Sequence, residues 1–189
     1  AIAGSNAENV PVISIVGVPA TKTIENKTCV HHNFQDVDYH ACFEAHKPLT
    51  AASAYLTRDN AKMEIDRILK VFVKERRPVY VAIPMDIAKM EITGNDVNYD
   101  WTSNEENLRV AAGKIAAKIN KSEKPVILGD LLVKRFDARI EYKEFVEKTR
   151  IPVTNFLMGT NLIDMDYDLY LGGYYAKFEN PIAQEYVET

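Results

Sequence analysis

The chain has 189 residues, of which 47% are hydrophobic and 26% charged, with a formal net charge of −4. That length suffices for one large domain or two small ones with a real core. No basic cluster of the kind phosphate contacts need is present, which excludes wholesale nucleic-acid binding, and no apolar run approaches the roughly 18 to 20 residues that cross a bilayer. The two cysteines, Cys29 and Cys42, form no C-x-x-C pair. They support neither a zinc knuckle nor a disulfide scaffold and fit a reducing, cytoplasmic compartment.

In chain order, residues 1–8 are small and read as the later part of a helix. Residues 10–17 are apolar and β-branched and close on Gly17, which predicts a buried strand. Residues 18–46 are irregular and polar and hold all four histidines, a functional loop or a disordered stretch. A helix is predicted over 59–75, with Asp59 as N-cap and Ile65, Ile68, Leu69 and Phe72 on one face. Residues 78–84 predict a second buried strand.

Periodicity then lapses over 89–103, a linker with a domain boundary near Gly94. Ser103 and Glu106 form a capping box opening a helix whose Leu108, Ala111, Ala112, Ile115 and Ile119 share a face. A strand over 124–130, a helix over 135–149 and a strand over 151–156 follow, and a last helix starts at Pro181. Helices alternating with short apolar strands mean a parallel, helix-covered sheet. The expected fold class is therefore α/β, in two parallel-sheet pieces, residues 1–93 and 94–189. There is no initiator Met or signal peptide, and both termini read as cuts within a longer chain.

The adjacent pair His31-His32 is the sharpest chemical feature. Neighbours cannot share a face of a helix or strand, but in a loop both rings can point into one pocket. Imidazoles titrate near neutral pH and suit general acid–base work, although two solvated loop histidines are the simpler reading of the local sequence. His40, Cys42 and His46, with Asp36, Asp38 and Glu44 nearby, lack the regular spacing of a zinc site. Asp164, Asp166 and Asp168 alternate without the glycine and distal glutamate of a calcium loop and read as a solvated turn. Gly172-Gly173 stands outside any dinucleotide or P-loop fingerprint. Tyr167, Tyr170, Tyr174 and Tyr175 lack interleaved cations and read as packing residues rather than a base-stacking platform.

Taken together, these segments resemble the thiamine-diphosphate-dependent 2-keto acid decarboxylase family, of the pyruvate and indolepyruvate decarboxylase kind. Residues 3–12 are similar to its A-G-S-Y-A-E-x-x-P-V segment, and His31-His32-Asn33-Phe34-Gln35-Asp36-Val37-Asp38-Tyr39 resembles its H-H-T-L-x-D-G-D-F loop. Residues 60–69 resemble N-A-x-x-E-I-D-R-V-L, and residues 75–86 resemble E-R-R-P-V-Y-x-x-L-P-x-D. In the second half, residues 124–128, 151–154, 159–165 and 171–175 look like stretches of the family's central domain.

The resemblance implies that residues 1–93 are the C-terminal part of a pyrimidine-binding domain. Residues 94–189 are then most of a Rossmann-like central domain, truncated at its C-terminal end. It implies decarboxylation of a 2-keto acid to an aldehyde and carbon dioxide, with thiamine diphosphate as electron sink and magnesium as its anchor. In that family the histidine pair sits over the cofactor ring on a mobile loop, so His31 and His32 are the catalytic candidates. The activating glutamate and the magnesium-diphosphate motif are expected outside this chain, which by itself should be inactive. The full-length parent is expected to be a cytoplasmic homodimer or homotetramer with no membrane or nucleic-acid partner. Two rival readings are another thiamine-diphosphate carboligase or synthase and a stand-alone nucleotide-binding regulatory module. The sequence departs from the family at Asn33, where Thr is usual, and at Gln35 and Val37, where small residues or Gly are common. Those departures imply a stiffer loop.

Overall fold

A computed structural model of the chain describes residues 1–31, 34, 36–93, 101–175 and 180–189. Two compact units are present, Ala1–Tyr99 and Asp100–Thr189. The boundary expected near Gly94 falls outside the described residues.

The first unit runs α1 (Ile2–Ala7), β1 (Ile13–Val18), α2 (Thr21–Glu25), α3 (Ala41–His46), β2 (Ala52–Tyr55), α4 (Ala61–Glu75) and β3 (Val79–Pro84). The three strands are parallel in the order β1-β3-β2. β3 is central, with Val79, Tyr80 and Ala82 at 2% exposure or less. This matches the continuous apolar run expected of a strand covered on both faces. Val79 and Val81 pack with Ala52, Ala54, Ile68 and Ile87, and Ile65, Phe72 and Ile83 lean on that cluster. α4 thus buries the face its spacing predicts.

The helix begins at Ala61, with Asn60 and not Asp59 at its N-cap. Asn60 ties the preceding turn instead: its Oδ1 accepts from Thr57 N at 2.7 Å and its Nδ2 donates to Tyr55 O at 3.1 Å. At the other end Arg76 takes the left-handed conformation (φ 52°) and donates its N–H to Phe72 O, after which the chain turns directly into β3. β1 corrects an expectation. It is an edge strand, with Ile15 67% exposed, because only β3 pairs with it among the described strands. β2 was not expected at all, since Ala52-Ser53-Ala54-Tyr55 carries no β-branched residue; register with β3 makes it a strand. The stretch read as wholly irregular contains the short helices α2 and α3.

The second unit runs α5 (Glu105–Lys121), β4 (Ile127–Gly129), α6 (Leu131–Arg135), α7 (Arg139–Thr149), β5 (Val153–Asn155), β6 (Tyr170–Gly173) and α8 (Pro181–Glu188). Its sheet is parallel in the order β4-β5-β6. Val146, Val153 and Ile163 form its small core. The α/β class with two parallel, helix-bearing sheets is therefore as expected.

Three local readings are corrected in this unit. The N-cap of α5 is Asn104, whose side chain accepts from Asn107 N at 2.9 Å; Ser103 is not the cap. The predicted apolar face of α5 is exposed, with Leu108 at 55% and Ile115 at 58%. The helix expected over 135–149 begins only at Arg139, beyond Asp137 at φ 56°, and the short α6 that precedes it was not expected. α8 starts at Pro181 as expected, with Asn180 Oδ1 accepting from Ala183 N.

Candidate functional site

In open parallel α/β sheets ligands settle in the crevice beyond the carboxyl ends of the strands. In the first unit that position holds a cavity of about 780 Å³. Val16, Gly17 and Val18 of β1 and Tyr80 and Ala82 of β3 line it from the sheet; Val30, His31, Asp38 and Tyr39 line it from the connection between α2 and α3, and Cys42 and Phe43 from α3 itself. Thus His31 lies on the cavity wall. His32, the other catalytic candidate, lies outside the described residues, as do Asn33 and Gln35.

The fold fixes the cavity mouth with long-range bonds. Asp86, just after β3, accepts from Thr21 N at 2.9 Å, and Met85 N donates to Val18 O at 3.1 Å. The Thr21 backbone bond holds the Asp86 carboxyl below its ordinary range, as expected when a hydrogen bond favours the charged form. Asp86 belongs to the quoted P-x-D stretch, but nothing local marks it as the fastener of α2, since its partner is 65 residues away.

Beyond His31 the loop is knitted by its own carboxylates. Asp36 Oδ1 accepts from Asp38 N at 3.1 Å and Asp38 Oδ1 from His40 N at 2.9 Å. Tyr39, 8% exposed, donates its hydroxyl to Thr28 O. Val37 sits at φ 54°. A β-branched residue there is strained, and this is the position at which the sequence departs from the Gly of the resembled motif.

The other histidines do different work. His40 packs on Tyr55 with ring centroids 4.4 Å apart, and His46 stacks on Tyr80 at 4.4 Å and 23°. Phe43 meets Tyr55 edge-on. Burial first, and then the neighbouring Tyr80, raises the Tyr55 phenol; burial first, and then Cys42, raises that of Tyr80. His40 and His46 thus serve an aromatic layer under α3, and Cys42 lines the cavity. Among the described residues no three His, Cys, Asp or Glu side chains are placed to share a metal ion. The aromatic layer was not predicted; Phe43, Tyr55 and Tyr80 carry no motif of their own.

In the second unit the acidic turn is spent in pairing. Asp164 meets Lys143 at 3.0 Å, and Asp168 takes a two-pronged bond from Arg150 at 3.1 and 2.5 Å. An open hollow of about 590 Å³ remains beside Asn161, Asp164 and Asp166. The tyrosines pack and bond to protein: Tyr170 OH donates to Asn155 Oδ1 at 2.5 Å, Tyr174 OH to Glu188 at 2.9 Å, and Tyr167 lies under Arg150. At the end of β4, Asp130 Oδ1 and the Tyr142 hydroxyl are buried without a hydrogen-bond partner among the described residues. No helix among the described residues is long and apolar enough to cross a membrane.

Comparison with known proteins adds what geometry alone does not. Residues 112–189 match the family model described as thiamine pyrophosphate enzyme, central domain. An alpha-keto-acid decarboxylase of Mycobacterium avium is 29% identical over 191 residues, 100% of this chain and 34% of that protein. Pyruvate decarboxylase of Kluyveromyces lactis is 28% identical and pyruvate decarboxylase isozyme 2 of Saccharomyces cerevisiae 27% identical, each over 194 residues, 100% of this chain and 34% of theirs. The chain therefore spans about a third of the length of the curated relatives it matches.

Proposed function

Starting from a chain related along its whole length to thiamine-diphosphate-dependent 2-keto acid decarboxylases, we propose that it supplies the proton-handling wall of such an enzyme. In this reading residues 1–93 are the C-terminal part of the pyrimidine-binding domain and residues 94–189 most of the central domain. The longer protein converts a 2-keto acid to an aldehyde and carbon dioxide with thiamine diphosphate and magnesium. The observation that carries the reading is the placement of His31 on a largely apolar cavity at the carboxyl ends of β1 and β3.

The described residues do not by themselves suit the diphosphate and magnesium end of the cofactor. They offer no cluster of three metal-ligating side chains. The isolated chain is therefore expected to be inactive. What the chain does supply is exclusion of water and a proton donor. Val16, Val18, Phe43 and Ala82 make the site apolar, which strengthens any electrostatic interaction formed in it. An imidazole at the rim can give a proton at one ring nitrogen and regain it from solvent. His32 is assigned the same work from its adjacency in sequence. The parent is read as a cytoplasmic homodimer or homotetramer; the exposed free thiols of Cys29 and Cys42 support a reducing compartment.

The test is a paired measurement on the full-length parent, turnover and melting temperature for His31→Ala and His32→Ala. Turnover should fall by roughly 10²-fold or more, the scale of a positioned acid or base. Stability should shift by less than about 1 kcal/mol, because His31 is exposed and its removal opens no core cavity. Unchanged turnover, or activity lost only through unfolding, would leave the histidines as solvated loop residues.

A further inference from the structure

We propose that α5 is a self-association surface, and that its occupant is α5 of a second copy of this chain, packed antiparallel about a twofold axis. The two long helices differ in how they sit in their own units. α4 buries Ile68 to 1% exposure in the core of its unit. α5, with 17 residues and a length of about 25 Å, leaves every residue but Ile119 exposed. Its exposed surface is not uniformly polar: Leu108, Ala111, Ala112, Ile115, Ala116 and Ile119 recur at helical intervals and fall on one face. An apolar stripe open to water along a whole helix marks an interaction site.

Two features of α5 select a second copy as the occupant. The first is the order of its apolar positions, which reads the same in both directions from the midpoint between Gly113 and Lys114. Leu108 answers Ile119 across that point, Ala111 answers Ala116, and Ala112 answers Ile115. A twofold interface needs a patch that complements itself, residue i meeting j and j meeting i. In an antiparallel pair centred there, Leu108 of one helix comes level with Ile119 of the other, and Ile115 of one with Ala112 of the other. The small residues let the two axes approach closely. The second feature is charge. Glu105 and Glu106 stand in the first turn, and Lys118 and Lys121 in the last. Arg109 offsets one carboxylate through its bond to Glu106 at 2.9 Å, and the first turn keeps a net negative charge. Antiparallel packing sets each acidic end beside a basic one and opposes the helix dipoles, whereas a parallel pair would bring like charges together at both ends. The apolar face drives the association and the charges set its direction.

This inference does not rest on the decarboxylase reading, and its test uses no substrate. Sedimentation equilibrium of the 189-residue chain should show a monomer–dimer exchange. A single helix pair is a small interface, so half-association is expected near roughly 100 µM. Leu108→Glu, at a position 55% exposed, should raise the dissociation constant by about tenfold or more, because the pair would bury a carboxylate. If circular dichroism shows that variant misfolded, Ile115→Glu repeats the test on the same face. Direction is read by disulfide trapping in a Cys29→Ser, Cys42→Ser background. Ala112→Cys lies close to the axis and should crosslink to its own copy on oxidation. Leu108→Cys lies about 16 Å along the pair from its own copy, beyond the roughly 4 to 7 Å between the Cα atoms of a disulfide, and should not crosslink. A chain that stays monomeric at several times that concentration overturns the inference. So does a dimer untouched by a folded glutamate variant, or crosslinking at residue 108 as fast as at 112. Turnover of the full-length parent bears on the decarboxylase reading alone.

Discussion

Two glycine-to-alanine changes in the second unit should have opposite signs, and the packing gives the magnitudes. Gly113 lies in the middle of α5, with open space around the position of an added Cβ. Alanine there removes the backbone-entropy penalty of glycine in a helix interior and should stabilise by about 0.8 to 1 kcal/mol. Gly159 is buried where the chain passes β4. A Cβ there would lie 2.5 Å from Gly129 O, 2.9 Å from Asp130 Cα and 3.1 Å from Asn155 Cβ. Two of these three atoms are backbone and cannot swing aside, so the end of β4 must move. Overpacking of this kind costs about 1 to 3 kcal/mol, and the backbone contacts place Gly159→Ala in the upper part of that range. The variants should differ by about 3 kcal/mol, or on the order of 1 to 2 M in urea midpoint at an ordinary m-value. Urea unfolding followed by the fluorescence of Trp101, the one tryptophan, reads this unit. Shifts of the same sign, or a Gly159→Ala cost below about 0.5 kcal/mol, would refute the close approach of residue 159 to β4.

Two further outcomes are expected. Burial, aided by Tyr170, pushes the Tyr142 phenol up to about 12 from an ordinary 10, and its hydroxyl has no partner among the described residues. A raised folded-state value means a contribution fully present below pH 10 and lost as pH rises toward 12. Tyr142→Phe should thus be neutral or stabilising by up to about 1 kcal/mol near neutral pH. It should also flatten the alkaline loss of stability, as measured by urea midpoints near about pH 8 and about pH 11; a variant that is less stable at both would show that the hydroxyl has a partner. In calorimetry the isolated chain should show no tight thiamine diphosphate binding with or without magnesium; micromolar affinity, on the order of 8 kcal/mol, would contradict the division of the cofactor site proposed above.

The amino-acid sequence alone determined the α/β class, the positions of α4 and β3, and the loop that bears His31. These are legible because a helix or strand writes its buried face into local spacing: Ile65, Ile68 and Phe72 recur at helical intervals, and the apolar run of β3 admits no solvent-facing side. Local spacing is silent on pairing. It made β1 a buried strand, but β3 occupies the centre of the sheet and leaves Ile15 exposed at the edge. It gave no sign of β2, whose small residues become a strand only beside β3. It started a helix at residue 135 that begins only at Arg139, past the left-handed Asp137, and it missed the short α6. The cavity is the clearest case. Its floor joins β1 to β3, its wall comes from the α2–α3 connection, and Asp86 fastens the mouth to Thr21 across 65 residues. Only tertiary structure decides such a site, because the free energy that holds it is carried by contacts between residues remote in sequence, which no local pattern records.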